Sequence, residues 1–129
     1  MRRLRPWLPA LAWAGLIFYL SSRSTLPVEP RFPYFDKVAH FSAYAILGAL
    51  LAFATDRSRL PMALAVGLGV LYGASDEVHQ VFVPGRSPDV LDWAADAAGV
   101  LTACLLYTRW RSRRAAARAA GADASFLRA

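Results

Sequence analysis

Ionisable residues stand inside otherwise apolar stretches of this sequence at three places. Asp36, His40 and Tyr44 recur at i, i+4 and i+8, with Lys37 beside them. Asp76, Glu77, His79 and Gln80, preceded by Ser75, interrupt a second stretch, and Asp89, Asp92 and Asp96 step by three and four residues through a third. On helices these intervals bring side chains onto one face. Such carboxylates and imidazoles suit three kinds of chemistry. Acid/base work would use a buried Glu77 or Asp96 beside a histidine, with Glu77, Asp92, His40 and His79 as the catalytic candidates. A divalent metal could take mixed nitrogen and oxygen ligands from His40, His79, Glu77, Asp76, Asp92 and Asp96. The spacing does not decide for metal, since H-E-x-x-H is absent and Glu77 and His79, two apart, pair poorly on one helix. The third kind is binding alone, for which Asp36, Lys37, Tyr44, Asp76, Gln80, Arg86, Asp89 and Asp96 are candidates, with Arg86 and Lys37 suited to a phosphate or carboxylate. No serine or cysteine is placed persuasively as a nucleophile.

A plainer reading makes the polar residues interhelical glue, worth about 0.6 kcal/mol each on average. It suits Ser75, Gln80 or Tyr44. It also lets Asp89 be only a helix cap, Lys37 only a flanking charge, and Arg86 only a neutraliser of Asp89 or Glu77. It does not explain the acids, because Ser, Asn or Gln would hold helices together without the cost of burying charge.

The elements that must position these residues follow from composition. In 129 residues, 57% are hydrophobic, above the roughly 45–50% of soluble domains. Pro, Gly and charge punctuation divides the chain into four apolar segments, about 6–22, 38–55, 60–83 and 90–108, each near the length of a membrane span. The expected fold is an all-α, polytopic membrane protein with four transmembrane helices over residues 1–110 and a basic cytoplasmic tail, 111–129. The first segment, led by arginines, also fits a signal peptide with Ser22-Arg23-Ser24 as a cleavage site, but bulky Phe18, Tyr19 and Leu20 crowd that site. Pro27, Pro30 and Pro33 predict an extended first connection, and Asp56 to Arg59 a tight turn before Pro61. Pro84, Gly85 and Pro88 end the third segment, and Ser87 or Asp89 can cap the fourth. If the third helix ends near Val83, Asp76 lies about 10 Å below its end, too deep to face lipid. The lone cysteine, Cys104, excludes an internal disulfide and reads as a small hydrophobe.

The net charge of +6 is mostly a topology signal. Four segments place eleven of the 15 basic residues on one side of the membrane and four on the other, so both termini are expected in the cytoplasm. The acids then gather in the outward half, all but Asp56 and Asp123. No nucleic-acid partner is expected. Gly69 and Gly73, and Ala95, Gly99 and Ala103, are small residues four apart that favour close packing. The second, third and fourth helices are therefore expected around one outward-opening polar pocket. The inner halves lack acids, which argues against transport. The Arg/Ala-rich tail can form a helix along the anionic inner leaflet or act as a topology anchor, and Trp7, Trp93 and Trp110 suit the interfaces.

Asp36-Lys37-x-x-His40-Phe41 with Tyr44, then Asp76-Glu77-x-His79-Gln80-x-Phe82-Val83-Pro84-Gly85-Arg86-Ser87, then Asp89, Asp92, Asp96 and Gly99 closely resemble the VanZ-like family of bacterial membrane proteins. The match spans residues 36 to about 105, in the family's order and spacing. It departs at Asp96, where the family pattern often has Asn. The resemblance implies a small multi-helix protein of the bacterial inner membrane, in a family named for low-level resistance to teicoplanin-type glycopeptides, and it brings no reaction. The expected function is to bind or modify a cell-envelope component, with membrane lipids and a lipid-linked precursor or lipoglycopeptide as partners. The alternatives are a hydrolase or transferase on a lipid-linked substrate, and a structural protein that binds a membrane partner or a second copy through the Gly69–Gly73 or Gly99 faces.

Overall fold

A computed structural model describes residues 4–24 and 33–126. A 3-10 turn, Arg5–Trp7, leads into α1 (Leu8–Ser21), followed by α2 (Phe35–Arg57), α3 (Met62–Gln80) and α4 (Val90–Phe126). Among the described residues there is no strand. Pro27 and Pro30 of the expected extended loop, and Arg2, Arg3, Glu29, Arg31 and Arg128 of the charge count, lie outside the described residues.

Local sequence explains the helix ends. Asp36 in the first turn of α2 and Arg57 in its last complement the helix dipole. The helix starts three residues before the expected Val38, so Asp36 and Lys37 belong to its first turn. It ends in a Schellman arrangement: Arg59 is left-handed at φ 57, and the Leu60 amide donates to the Thr55 carbonyl at 2.8 Å. Pro61 caps the start of α3 in extended conformation. That helix stops at Gln80 rather than Val83, four residues before Pro84, which cannot continue it. Asp76 therefore lies about 6 Å, not 10 Å, from the end of its helix. Asp89 caps α4, its Oδ1 accepting the Leu91 amide at 2.8 Å. That helix does not stop at Thr108. Alanine and arginine, both strong helix formers, carry it to Phe126 as one 37-residue element, so the basic tail continues the helix instead of forming a separate one.

The core lies between α2, α3 and α4, around Tyr44, Leu47, Leu51, Ala65, Val100 and Cys104. Glycine sets its dimensions. A Cβ at Gly99 would collide with the Phe41 carbonyl and stand 2.9 Å from the Ala45 nitrogen, so α4 touches the α2 main chain there. A Cβ at Gly48 would stand 2.8 Å from the Val100 Cα. Gly69 and Gly73 face Val100 and Asp96. The small-residue faces expected to receive a partner are thus filled by the chain's own helices.

α1 is tied on from outside. Trp13 Nε1 donates to the Ala43 carbonyl at 2.9 Å, the Tyr72 hydroxyl to the Ala14 carbonyl at 2.6 Å, and Trp7 Nε1 to Ser58 Oγ at 3.0 Å. Large apolar side chains cover the outside, including Leu71 at 69% and Leu101 at 51% exposure, which would be costly in water. Among the described residues, two helices are long and apolar enough to cross a membrane, Phe35–Arg57 and Val90–Ala120. α1 has only 14 residues, and α3 is polar in its last two turns.

Candidate functional site

The start of α2, the end of α3 and the start of α4 meet at one end of the bundle, and their ionisable residues meet with them. Lys37 Nζ is the rim's hub. It pairs with Asp36 at 3.1 Å, with Asp92 at 2.7 Å, and with Asp89. Lys37 therefore has no charge left over for an external anion. The ammonium of Lys37 holds the exposed Asp89 carboxyl below the usual carboxylate range, helped by the Leu91 amide.

Beneath the rim, His40 Nδ1 meets Asp96 Oδ1 at 2.9 Å, and its Nε2 stands 3.9 Å from Asp92 Oδ2. Glu77 reaches across from α3, where its Oε2 accepts the Asp89 amide at 2.7 Å. That bond ties the end of α3 to the cap of α4. Asp76, Glu77, Gln80, Asp92 and Asp96 are all buried. Tyr44, one turn below His40, is buried at 1% exposure. Four buried polar atoms here have neither a hydrogen bond nor an ion pair among the described residues: Tyr44 Oη, Glu77 Oε1, Gln80 Nε2 and Asp96 Oδ2. Native interiors rarely leave such atoms unpaired.

Two of the expected site residues stand apart. His79 turns toward α1, with Nε2 3.0 Å from Ser22 Oγ and its ring 4.5 Å from that of Phe18. Asp76 and Gln80 occupy the buried face that His79 was expected to share. Ser22 and His79 do not make a nucleophile and base. The Ser22 hydroxyl donates its proton to the Phe18 carbonyl at 2.7 Å, which makes it the acceptor from His79. Arg86 lies in the α3–α4 connection and forms no ion pair among the described residues, so it does not neutralise Asp89 or Glu77. Its Nε is buried and has no hydrogen-bond partner among the described residues.

Gly48 and Ser22 escaped the sequence reading. Gly48 belongs to no small-x-x-x-small pair with another glycine, and Ser22 looked like a helix end. For Gly48 the available signal was its position eight residues after His40, on the face of α2 that must meet α4.

The opposite end of the bundle carries a different and simpler arrangement. Tyr107 Oη donates to Asp56 Oδ2 at 3.1 Å, and Arg111 pairs with the same carboxylate. One acid there has both a donor and a cation.

The VanZ/LLP1 family model matches residues 6–111. The chain belongs to the VanZ/LLP1 family. The match takes in all of α1, α2 and α3 and most of α4, and so the whole polar cluster. No curated protein and no solved structure matches the chain. Together with its two apolar helices of spanning length, VanZ/LLP1 membership makes this a membrane protein.

Proposed function

We propose that this VanZ-like chain is a multi-pass protein of the bacterial inner membrane that binds the headgroup of a cell-envelope component in the acidic cluster. In this reading all four helices cross the bilayer, α1 at the lower limit of length, and the cluster opens outward. Both termini lie in the cytoplasm, where the arginines of the α4 extension meet anionic lipid. The observation that carries the binding reading is the set of unpartnered buried atoms, Tyr44 Oη, Glu77 Oε1, Gln80 Nε2 and Asp96 Oδ2. Three of the four are oxygens, and with Asp76 and Asp92 nearby they suit a headgroup rich in hydroxyl or ammonium donors, such as a lipid-linked saccharide. Lys37 is saturated by three carboxylates, so Arg86 is the residue left to meet an anionic linkage. Occupancy of this pocket links the protein to reduced sensitivity toward teicoplanin-type glycopeptides.

The test uses Glu77→Gln and Asp92→Asn in a strain whose own copy is deleted. Both variants should accumulate in the membrane at wild-type levels and lose any protection against the glycopeptide. A native mass spectrum of the wild type released from its own membrane should retain an envelope lipid that both variants lack. Variants that vanish from the membrane would make the acids structural, and variants that protect as well as the wild type would remove the cluster from the function.

A hydrolase or transferase reading draws on one observation, the imidazole of His40 held between Asp96 and Asp92. Turnover of a lipid-linked substrate by the purified protein, abolished by His40→Ala, would favour it.

A further inference from the structure

His40, Glu77 and Asp96 come from three different helices, and each places one ligand atom within 4.8 Å of the others. Donors bound to one ion at about 2.0–2.2 Å stand roughly 3 Å apart, and His40 Nδ1 and Asp96 Oδ1 are already at 2.9 Å. The charge balance favours a cation. Asp76, Glu77 and Asp96 are buried at 4%, 8% and 0% exposure, while Lys37 is committed to the rim. Among the described residues, the imidazole of His40 is the one basic group paired with any of the three, and it meets Asp96. Buried carboxylates without a counter-charge are strongly disfavoured.

A separate observation points to the same place. The Tyr44 hydroxyl, also buried, has no hydrogen-bond partner among the described residues although Asp76, Asp96 and Glu77 lie within electrostatic reach of it. A phenol beside carboxylates ordinarily donates to one. Glu77 Oε1 and Asp96 Oδ2, two buried carboxylate oxygens, are likewise without a hydrogen-bond partner among the described residues.

We propose that His40, Glu77 and Asp96 bind one divalent transition-metal ion, with Tyr44 positioned to face it. An imidazole with two carboxylates suits Zn2+ or Mn2+, whereas an all-oxygen set would suit Mg2+ or Ca2+. Ligation through Nδ1 turns the His40 Nε2–H toward Asp92 Oδ2, so that Asp92 fixes the ring as an outer carboxylate commonly does for a metal-bound histidine. The site stands whether or not the pocket also takes a headgroup.

The experiment titrates full-length protein in lipid nanodiscs, stripped with a chelator, with Zn2+ and separately with Mn2+ by calorimetry. The wild type should take up one ion per chain. His40→Ala and Asp96→Ala should each weaken uptake at least tenfold, and His79→Ala, the other histidine, should leave it unchanged. X-ray absorption of the zinc-loaded wild type should show an imidazole among oxygen ligands, and this decides the matter if the variants fail to accumulate. The proposal is overturned by the absence of saturable uptake at one equivalent, by a His79→Ala loss equal to that of His40→Ala, or by an all-oxygen shell. A wild type that takes no ion yet retains its envelope lipid would end the metal site and leave the headgroup reading standing.

Discussion

Gly99→Ala adds one methyl group at the point where α4 rests on the α2 main chain. The new Cβ would stand 2.9 Å from the Ala45 nitrogen and closer still to the Phe41 carbonyl, both backbone atoms with no rotamer to yield. Ordinary carbon contacts begin near 3.5 Å, so the two helices must part by roughly 0.6–1 Å. Overpacking of this kind costs about 1–3 kcal/mol, which corresponds to a fall of about 4–15 °C in the melting midpoint. The site feels the same displacement, because Phe41 follows His40 directly and Asp96 lies one turn before Gly99. Parting the helices stretches the 2.9 Å contact of His40 with Asp96 to about 3.5 Å or more, beyond a useful hydrogen bond. Thermal unfolding in detergent, followed by size-exclusion fluorescence, reads the stability change. Gly67→Ala is the matched control, since a Cβ there meets nothing within 4 Å. Its better helix propensity should leave it neutral or slightly more stable. A Gly99→Ala protein that melts with the wild type would refute the main-chain contact between α2 and α4.

Three further outcomes test other parts of the structure. Tyr72→Phe removes the 2.6 Å bond to the Ala14 carbonyl and should cost about 1 kcal/mol, with faster thiol labelling of a cysteine placed at Ile17, where α1 packs inward. Arg59→Gly relieves a left-handed residue at the end of α2 and should stabilise by about 1 kcal/mol, read as a higher melting midpoint. Asp89→Asn keeps the cap on Leu91 but loses the Lys37 pair. Because the folded Asp89 carboxyl titrates below its ordinary value, its contribution is complete above about pH 4 and is lost as the pH falls through the folded value. The melting gap between wild type and Asp89→Asn should therefore stay constant from neutral pH down to about pH 5 and close in stronger acid.

Much of the site was legible because helical periodicity is arithmetic. His40 and Tyr44, Asp92 and Asp96, and Asp76 and Gln80 each fall one turn apart, and burying charge required that their faces meet. His79 was misplaced because an interval of three residues covers a wide arc of helix surface. Asp76 and Gln80 are buried in the bundle, while His79 lies far enough round to reach α1. Arg86 and Lys37 looked equivalent as basic residues flanking the pocket, and only tertiary structure reveals that one is saturated and the other is not. The ends of α3 and α4 erred in opposite directions for one reason. Hydropathy marks where a segment could leave an apolar medium, whereas helix ends are set by Pro84 in one case and by alanine's helix propensity in the other.

The attachment of α1 has an evolutionary corollary. Two of its bonds end on backbone carbonyls, those of Ala43 and Ala14, which every amino acid supplies. Mutation at either acceptor position leaves the bond available, while the donors Trp13 and Tyr72 have no such freedom. The first helix can thus drift in sequence as long as it remains apolar and keeps the indoles of Trp7 and Trp13 and the hydroxyl of Ser22 in register. A lineage could exchange it for another apolar helix that carries these groups at the same spacing without disturbing the three helices that hold the cluster.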